Sequence, residues 1–145
     1  MSDRKQFLLV MLVAALFVIW LVMRGASVIS LNNSLRENPQ LSSYAYPFRV
    51  LRVEGNTAVM TTLRSTGTST RQALETLMPS LQSVSDSHRD WQRAEREYAQ
   101  LQVLASEIIL DQEEINRVRW ELDEHWYHLQ SMKRRNGANS YTVVN

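Results

Sequence analysis

Ile115-Asn116-Arg117-Val118-Arg119-Trp120-Glu121-Leu122-Asp123 is the stretch whose reading decides the fold. Val118, Trp120 and Leu122 alternate strictly with Arg117, Arg119, Glu121 and Asp123, the period-2 pattern of a strand with one buried face. The residues before it follow a different period. Trp91, Ala94, Tyr98, Leu101, Ala105 and Ile108 recur at steps of three and four, one apolar stripe of an amphipathic helix capped by Asp86 or Ser87. Carrying that count forward reaches Gln112, Ile115, Arg119, Leu122, Trp126 and Leu129, so the alternative is a mostly α chain with one coiled-coil-like helix of about 50 residues. It would end at Lys133, Arg134, Arg135 and Asn136-Gly137, cations and a glycine suited to a helix C-terminus. Two of the six added seam positions are polar, however, and Trp120 falls outside the seam. The strand reading accounts for Trp120, with Asp123 opening a short final helix that holds Trp126 and Leu129.

A strand here also meets a need elsewhere. Phe48 to Leu63 reads as two β-rich runs around Gly55-Asn56, a hairpin signal, with Val53 expected opposite Ala58 and Leu51 opposite Met60. An isolated hairpin is not stable in water, and a third strand plus a covering helix would complete it. Between hairpin and helix, Ser69-x-x-Gln72 resembles a capping box before a short stripe of Leu74, Leu77, Met78 and Leu81.

Phe7 to Met23 is an unbroken apolar run of 17 residues, about 25 Å of helix. Snorkelling by Arg24 would let the span continue to Ile29. A cleaved signal peptide is the competing reading, disfavoured because the run exceeds the usual h-region and Arg24 follows it directly. Arg4, Lys5 and the amino terminus outweigh Arg24 and the distant Arg36, placing the N-terminus in the cytoplasm and, in a bacterial inner membrane, the domain in the periplasm. Helical spacing then runs through Leu31 and Leu35 to Asn38-Pro39. Asn32-Asn33-Ser34 matches a glycosylation sequon but reads more simply as a polar helix surface.

The expected architecture is therefore a single N-terminal transmembrane helix and a small α+β domain comprising a β-hairpin, a long amphipathic helix, a third strand and a short C-terminal helix. Its segments are a cytoplasmic N-terminus (1–6), a transmembrane anchor (7–29), a stalk and linker (30–47), an extracytoplasmic domain (48–136) and a flexible tail (137–145). The tail's Tyr141-Thr-Val-Val could add as a strand to a partner's sheet.

The chain carries a net charge of +1, of which Asp3, Arg4, Lys5 and Arg24 together supply +2, so the remainder is near −1. That balance offers no footprint for nucleic acid. There are 0 cysteines, which excludes disulfides and thiol chemistry. His125 and His128 with Glu121 and Glu124 have helical spacing for a divalent cation but lack an HExxH pattern, and a solvated helix face explains them as well. No serine sits in a nucleophile motif and the 4 glycines are scattered, so neither catalysis nor a cofactor is expected. Lys133, Arg134 and Arg135 could meet anionic headgroups, although a helix terminus explains them. The expected function is a non-catalytic membrane-anchored accessory subunit, scaffold or assembly factor, with a tethered lipid- or small-ligand-binding domain as the alternative. Arg117, Arg119, Trp120, Trp126 and Tyr127 are the expected partner-binding residues, because aromatics and arginine anchor protein interfaces.

Overall fold

The computed structural model describes residues 2–140. Helix α1 (Asp3–Glu37) is followed by α2 (Pro39–Ser42), strands β1 (Val50–Glu54) and β2 (Thr57–Thr62), α3 (Thr70–Leu77), a 3-10 turn (Pro79–Leu81), α4 (Arg89–Leu110), β3 (Arg117–Leu122) and α5 (Glu124–Ser140). The decisive stretch is a strand, and the continuous 50-residue helix does not form: α4 stops at Leu110 and a turn carries the chain to β3.

The sheet has order β1-β2-β3, with β1 antiparallel and β3 parallel to the central β2. Gly55, at φ +62°, makes the tight turn between β1 and β2, a conformation in which a side chain would be strained. Val53 pairs with Ala58 as expected, but Val50, not Leu51, stands opposite Met60. A bulge between Val50 and Arg52 absorbs one residue; Val50 is buried and Leu51 is left exposed. The parallel pairing of β3 requires a long crossover, which α3 and α4 provide. Ser69 caps α3 through the Gln72 N–H (3.1 Å), whereas α4 is capped by the His88 ring accepting from the Asp90 N–H, not by Asp86 or Ser87. Asp86 instead pairs with Arg71, and Ser87 bonds Ser85.

The face of α4 that meets the sheet carries Trp91, Ala94, Tyr98, Leu101, Ala105 and Ile109, with Ile109 taking the buried place expected for Ile108. Residues 30–47, expected as a stalk and linker, are part of the domain: Leu31, Leu35, Leu41 and Tyr46 are buried in the same core as Met60 and Leu74. The distal part of α1 lies along the free edge of β1. There the Asn32 amide accepts from the Val50 N–H (2.7 Å) and donates to the Val50 carbonyl (3.0 Å), doing for that edge what a further strand would do. Lower down, Arg24 stacks on the Trp20 ring and donates to the Val53 carbonyl. Trp20 borders a cleft with Gly55. From Trp20 to Asn32 the helix rises about 18 Å, and from Gly55 to Val50 the strand covers about 17 Å, so the two run antiparallel side by side. Apart from Trp20, the apolar segment before Arg24 is exposed. Phe7, Val10, Phe17 and Val22 are all more than half exposed, and the helix is long and apolar enough to cross a membrane.

Asp123, 3% exposed, closes the fold. Its Oδ2 accepts from the Tyr46 hydroxyl (2.8 Å) and from Arg49 (2.7 Å); its Oδ1 accepts from Arg49 (3.0 Å) and from the Trp126 N–H at the start of α5 (3.0 Å). Its own N–H donates to the Thr62 carbonyl. One carboxylate thus joins the segment before β1, the end of the sheet and the last helix, with both oxygens fully engaged. Helix α5 runs through Gly137 to Ser140, so the glycine stop that the single-helix alternative offered is not used; an exposed glycine inside a helix costs only about 1 kcal/mol. Residues 141–145 of the expected tail lie outside the described residues.

Two outcomes test this core. Arg49→Ala, which leaves the Asp123 carboxylate buried and unpaired, is expected to lower unfolding stability in detergent by about 3–5 kcal/mol, while Arg49→Met with Asp123→Leu recovers part of the loss. A single-mutant loss below about 1 kcal/mol would contradict the network's role.

Burial raises the hydroxyl pKa of Tyr44, Tyr46 and Tyr98 and pushes Tyr127 up to about 12, from an ordinary value of 10.0. The folded state therefore holds these protons more tightly than the unfolded chain. The contribution to stability is intact below the unfolded value and falls as pH rises through and above it. Phenolate absorbance of these four tyrosines is expected to appear only together with unfolding, above their ordinary titration range; independent titration near pH 10 would show them accessible.

Candidate interaction surface

The outer face of the sheet is an ionic lattice. In register across it stand Arg52, Val59 and Arg119, one residue from each strand. Arg52 pairs with Glu54 (2.7 Å) and Glu121 (2.9 Å), and Arg119 pairs with Glu54 (3.2 Å). The long stems of these side chains lie over Val59, which is 0% exposed although it stands outside the main core cluster. The hydrogen bond from Arg52, with Arg119 close by, holds the Glu54 carboxyl below the usual carboxylate range.

The five residues expected to bind a partner separate into two places. Arg117, Arg119 and Trp120 all lie on β3, the second edge of the sheet. Arg117 is exposed and has no ion pair among the described residues. Trp120 is half-buried: one edge of its ring meets Phe48 (6.2 Å between centroids), and the rest borders a shallow groove with Val103, Gln102 and Arg64. Trp126 and Tyr127 instead belong to the core. Trp126, 8% exposed, packs edge-on against Tyr46 (5.6 Å), and Tyr127 donates to the Leu63 carbonyl (2.7 Å) while its ring meets Trp126. Their proximity in sequence to the charged face concealed this, because Asp123 turns the chain inward just before them.

The two edges of the sheet are treated differently by the chain. On β1 a bulge, Asn32 and Arg24 cover the backbone. On β3 the N–H of Arg117 reaches the Asn56 carbonyl and that of Asp123 the Thr62 carbonyl, so the parallel ladder uses the odd-numbered residues. The N–H and C=O groups of Val118, Trp120 and Leu122 therefore point away from β2, and among the described residues nothing bonds them. Neither a proline nor a bulge protects this edge.

No convergent chemistry competes with that surface. No group of three metal-ligating side chains comes together among the described residues, and His125 and His128 are exposed on α5. A cleft of about 500 Å³ lies open between α3 and α5 and is lined by Arg71, Glu75, Gln82 and Arg134 among others, a polar surface. Comparison with protein-family models, with curated proteins and with solved structures finds no match to this chain.

Because its ion pairs are solvent-exposed, Arg119→Ala is expected to change stability far less than Arg49→Ala, and the difference from wild type should shrink further in high salt. Equal losses from the two variants in thermal unfolding would make the outer lattice part of the core.

Proposed function

We propose that this chain is a single-pass membrane protein, with its N-terminus in the cytoplasm of a bacterium and its domain on the periplasmic side of the inner membrane. It acts there without catalysis, as an accessory subunit, scaffold or assembly factor for another envelope protein. The observation that carries this reading is the bare edge of β3 beside Trp120, on a domain whose other sheet edge is closed. An unpaired strand edge invites pairing with another chain, and soluble proteins commonly block it when no partner is meant to bind.

The anchor reading is supported by the exposure of Phe7 to Met23, a contiguous apolar surface of a kind that soluble monomers rarely keep in water. Retention of the anchor is supported by Arg24, which lies at the end of the apolar run and bonds the domain directly through the Val53 carbonyl. With the N-terminal cations Arg4 and Lys5 on the cytoplasmic side, the domain rests on the opposite leaflet, hairpin tip downward. The oxygen and the nitrogen of the Asn32 amide are each bonded to Val50, which supports reading its sequon as structural. The ligand-binding alternative finds less support, since the clefts beside α3 and α5 and beside Ala26 and Ile115 are open and polar rather than apolar and enclosed.

Size analysis of the tagged full-length protein, extracted from its own membrane in mild detergent, tests the proposal. A reproducible particle larger than the 16.8 kDa chain and its micelle, with one defined companion in mass spectrometry, is the expected result. A lone monomer or homo-oligomer would overturn it, and digestion of the domain only from the cytoplasmic side would overturn the orientation.

A further inference from the structure

The geometry points to β3 as a docking edge for an extended, acidic-ended segment of a different protein, which adds to the sheet as a fourth strand. The inference deepens the accessory-subunit reading and rests on it. The backbone supplies the first half of the recognition: Val118, Trp120 and Leu122 present three N–H donors and three C=O acceptors along one line. The side chains supply the second half. On the core-facing side, half-buried Val118 and Trp120 with the exposed Val103 of α4 make an apolar strip that alternate residues of a partner strand would cover. A cation without an ion pair among the described residues stands at each end: Arg117 at the start of β3, and Arg64 in the groove beside Trp120. Glu54 and Glu121, the nearby acids, are already held by Arg52 and Arg119. The complement is a strand with apolar residues at alternate positions and a carboxylate near each end.

A second copy of this chain fits less well. A second copy pairing antiparallel about Trp120 would set Arg119 against Glu121, and the charges match. However, α1 runs alongside β1 and antiparallel to it, so reversing the strands also reverses the anchor. The two apolar helices would then point in opposite directions and could not share one bilayer.

The test uses the full chain in lipid nanodiscs and measures amide hydrogen exchange residue by residue, before and after adding the capped peptide Glu-Thr-Val-Thr-Val-Glu. In the free protein the amides of Val118, Trp120 and Leu122 are expected to exchange fast while those of Arg119 and Glu121 are protected. The peptide should slow the first set selectively. Its lysine-ended counterpart should bind about tenfold more weakly, and Arg64→Glu with Arg117→Glu should reverse that preference. Protection of Val118, Trp120 and Leu122 in the free protein overturns the inference. If that protection is lost on deleting residues 141–145 the tail is the occupant, and if it is lost on dilution a second copy is. No selective slowing with either peptide also overturns it. A companion that co-purifies but cross-links away from β3 overturns this inference alone and leaves the accessory-subunit reading standing.

Discussion

The side-chain amide of Asn32 holds both the N–H and the C=O of Val50, and through that pair of bonds the long N-terminal helix becomes part of the domain. A helix on a flexible tether would leave the domain free to tumble above a membrane. Here Leu31 and Leu35, one on each side of Asn32, are buried among sheet and α4 residues, and Arg24 fastens the lower end of β1. The direction of α1 therefore sets the direction of every strand. With the apolar run in a bilayer, β1 descends towards the headgroups, β2 and β3 rise away from them, and the free edge of β3 stands upright.

The remaining structure follows from closing one edge and leaving the other. β2 is central and is buried on both faces, under α4 on one side and under the stems of Arg52 and Arg119 on the other. The crossover through α3 and α4 delivers β3 parallel to it, and Asp123 then ends the strand and starts α5. Because that carboxylate also binds Tyr46 and Arg49, the segment joining α2 to β1 is fixed by the same group that fixes the last helix. A buried charge with four hydrogen bonds is costly to leave incomplete, which ties together the end of the sheet far from the apolar run. Local stiffness of this kind suits a surface that offers backbone groups in a fixed row.

Much of this was legible because the side-chain periods are physical consequences of the elements. The change from steps of three and four in Trp91–Ile108 to strict alternation in Arg117–Leu122 marked a helix and a strand, and Gly55-Asn56 marked the turn. What escaped was non-local. Nothing near Asn32 announces that its amide will cap a strand 18 residues later, so residues 30–47 read as a stalk. The bulge that exchanges Val50 for Leu51 depends on which of two apolar residues the core accepts, a matter of packing across the whole domain. Asp123 looked like a helix cap, which it is, but its partners Tyr46 and Arg49 lie 77 and 74 residues away. Of the residues expected to bind a partner, Arg117, Arg119 and Trp120 lie on the strand that their alternation marked, whereas Trp126 and Tyr127 pack into the core beside that same aspartate.

If α1 crosses a membrane as proposed, its bonds to β1 hold the domain at one attitude to the bilayer, and the absence of native cysteines makes that directly measurable. Single spin labels at Asn56→Cys and Gly67→Cys, in full-length protein in nanodiscs containing a nickel-chelating lipid, report the distance of each site from the headgroups by relaxation enhancement. Strong enhancement at the hairpin tip and little at Gly67 is the result the account requires. Equal, weak enhancement at both sites would mean that the domain swings free of its anchor, and would contradict it.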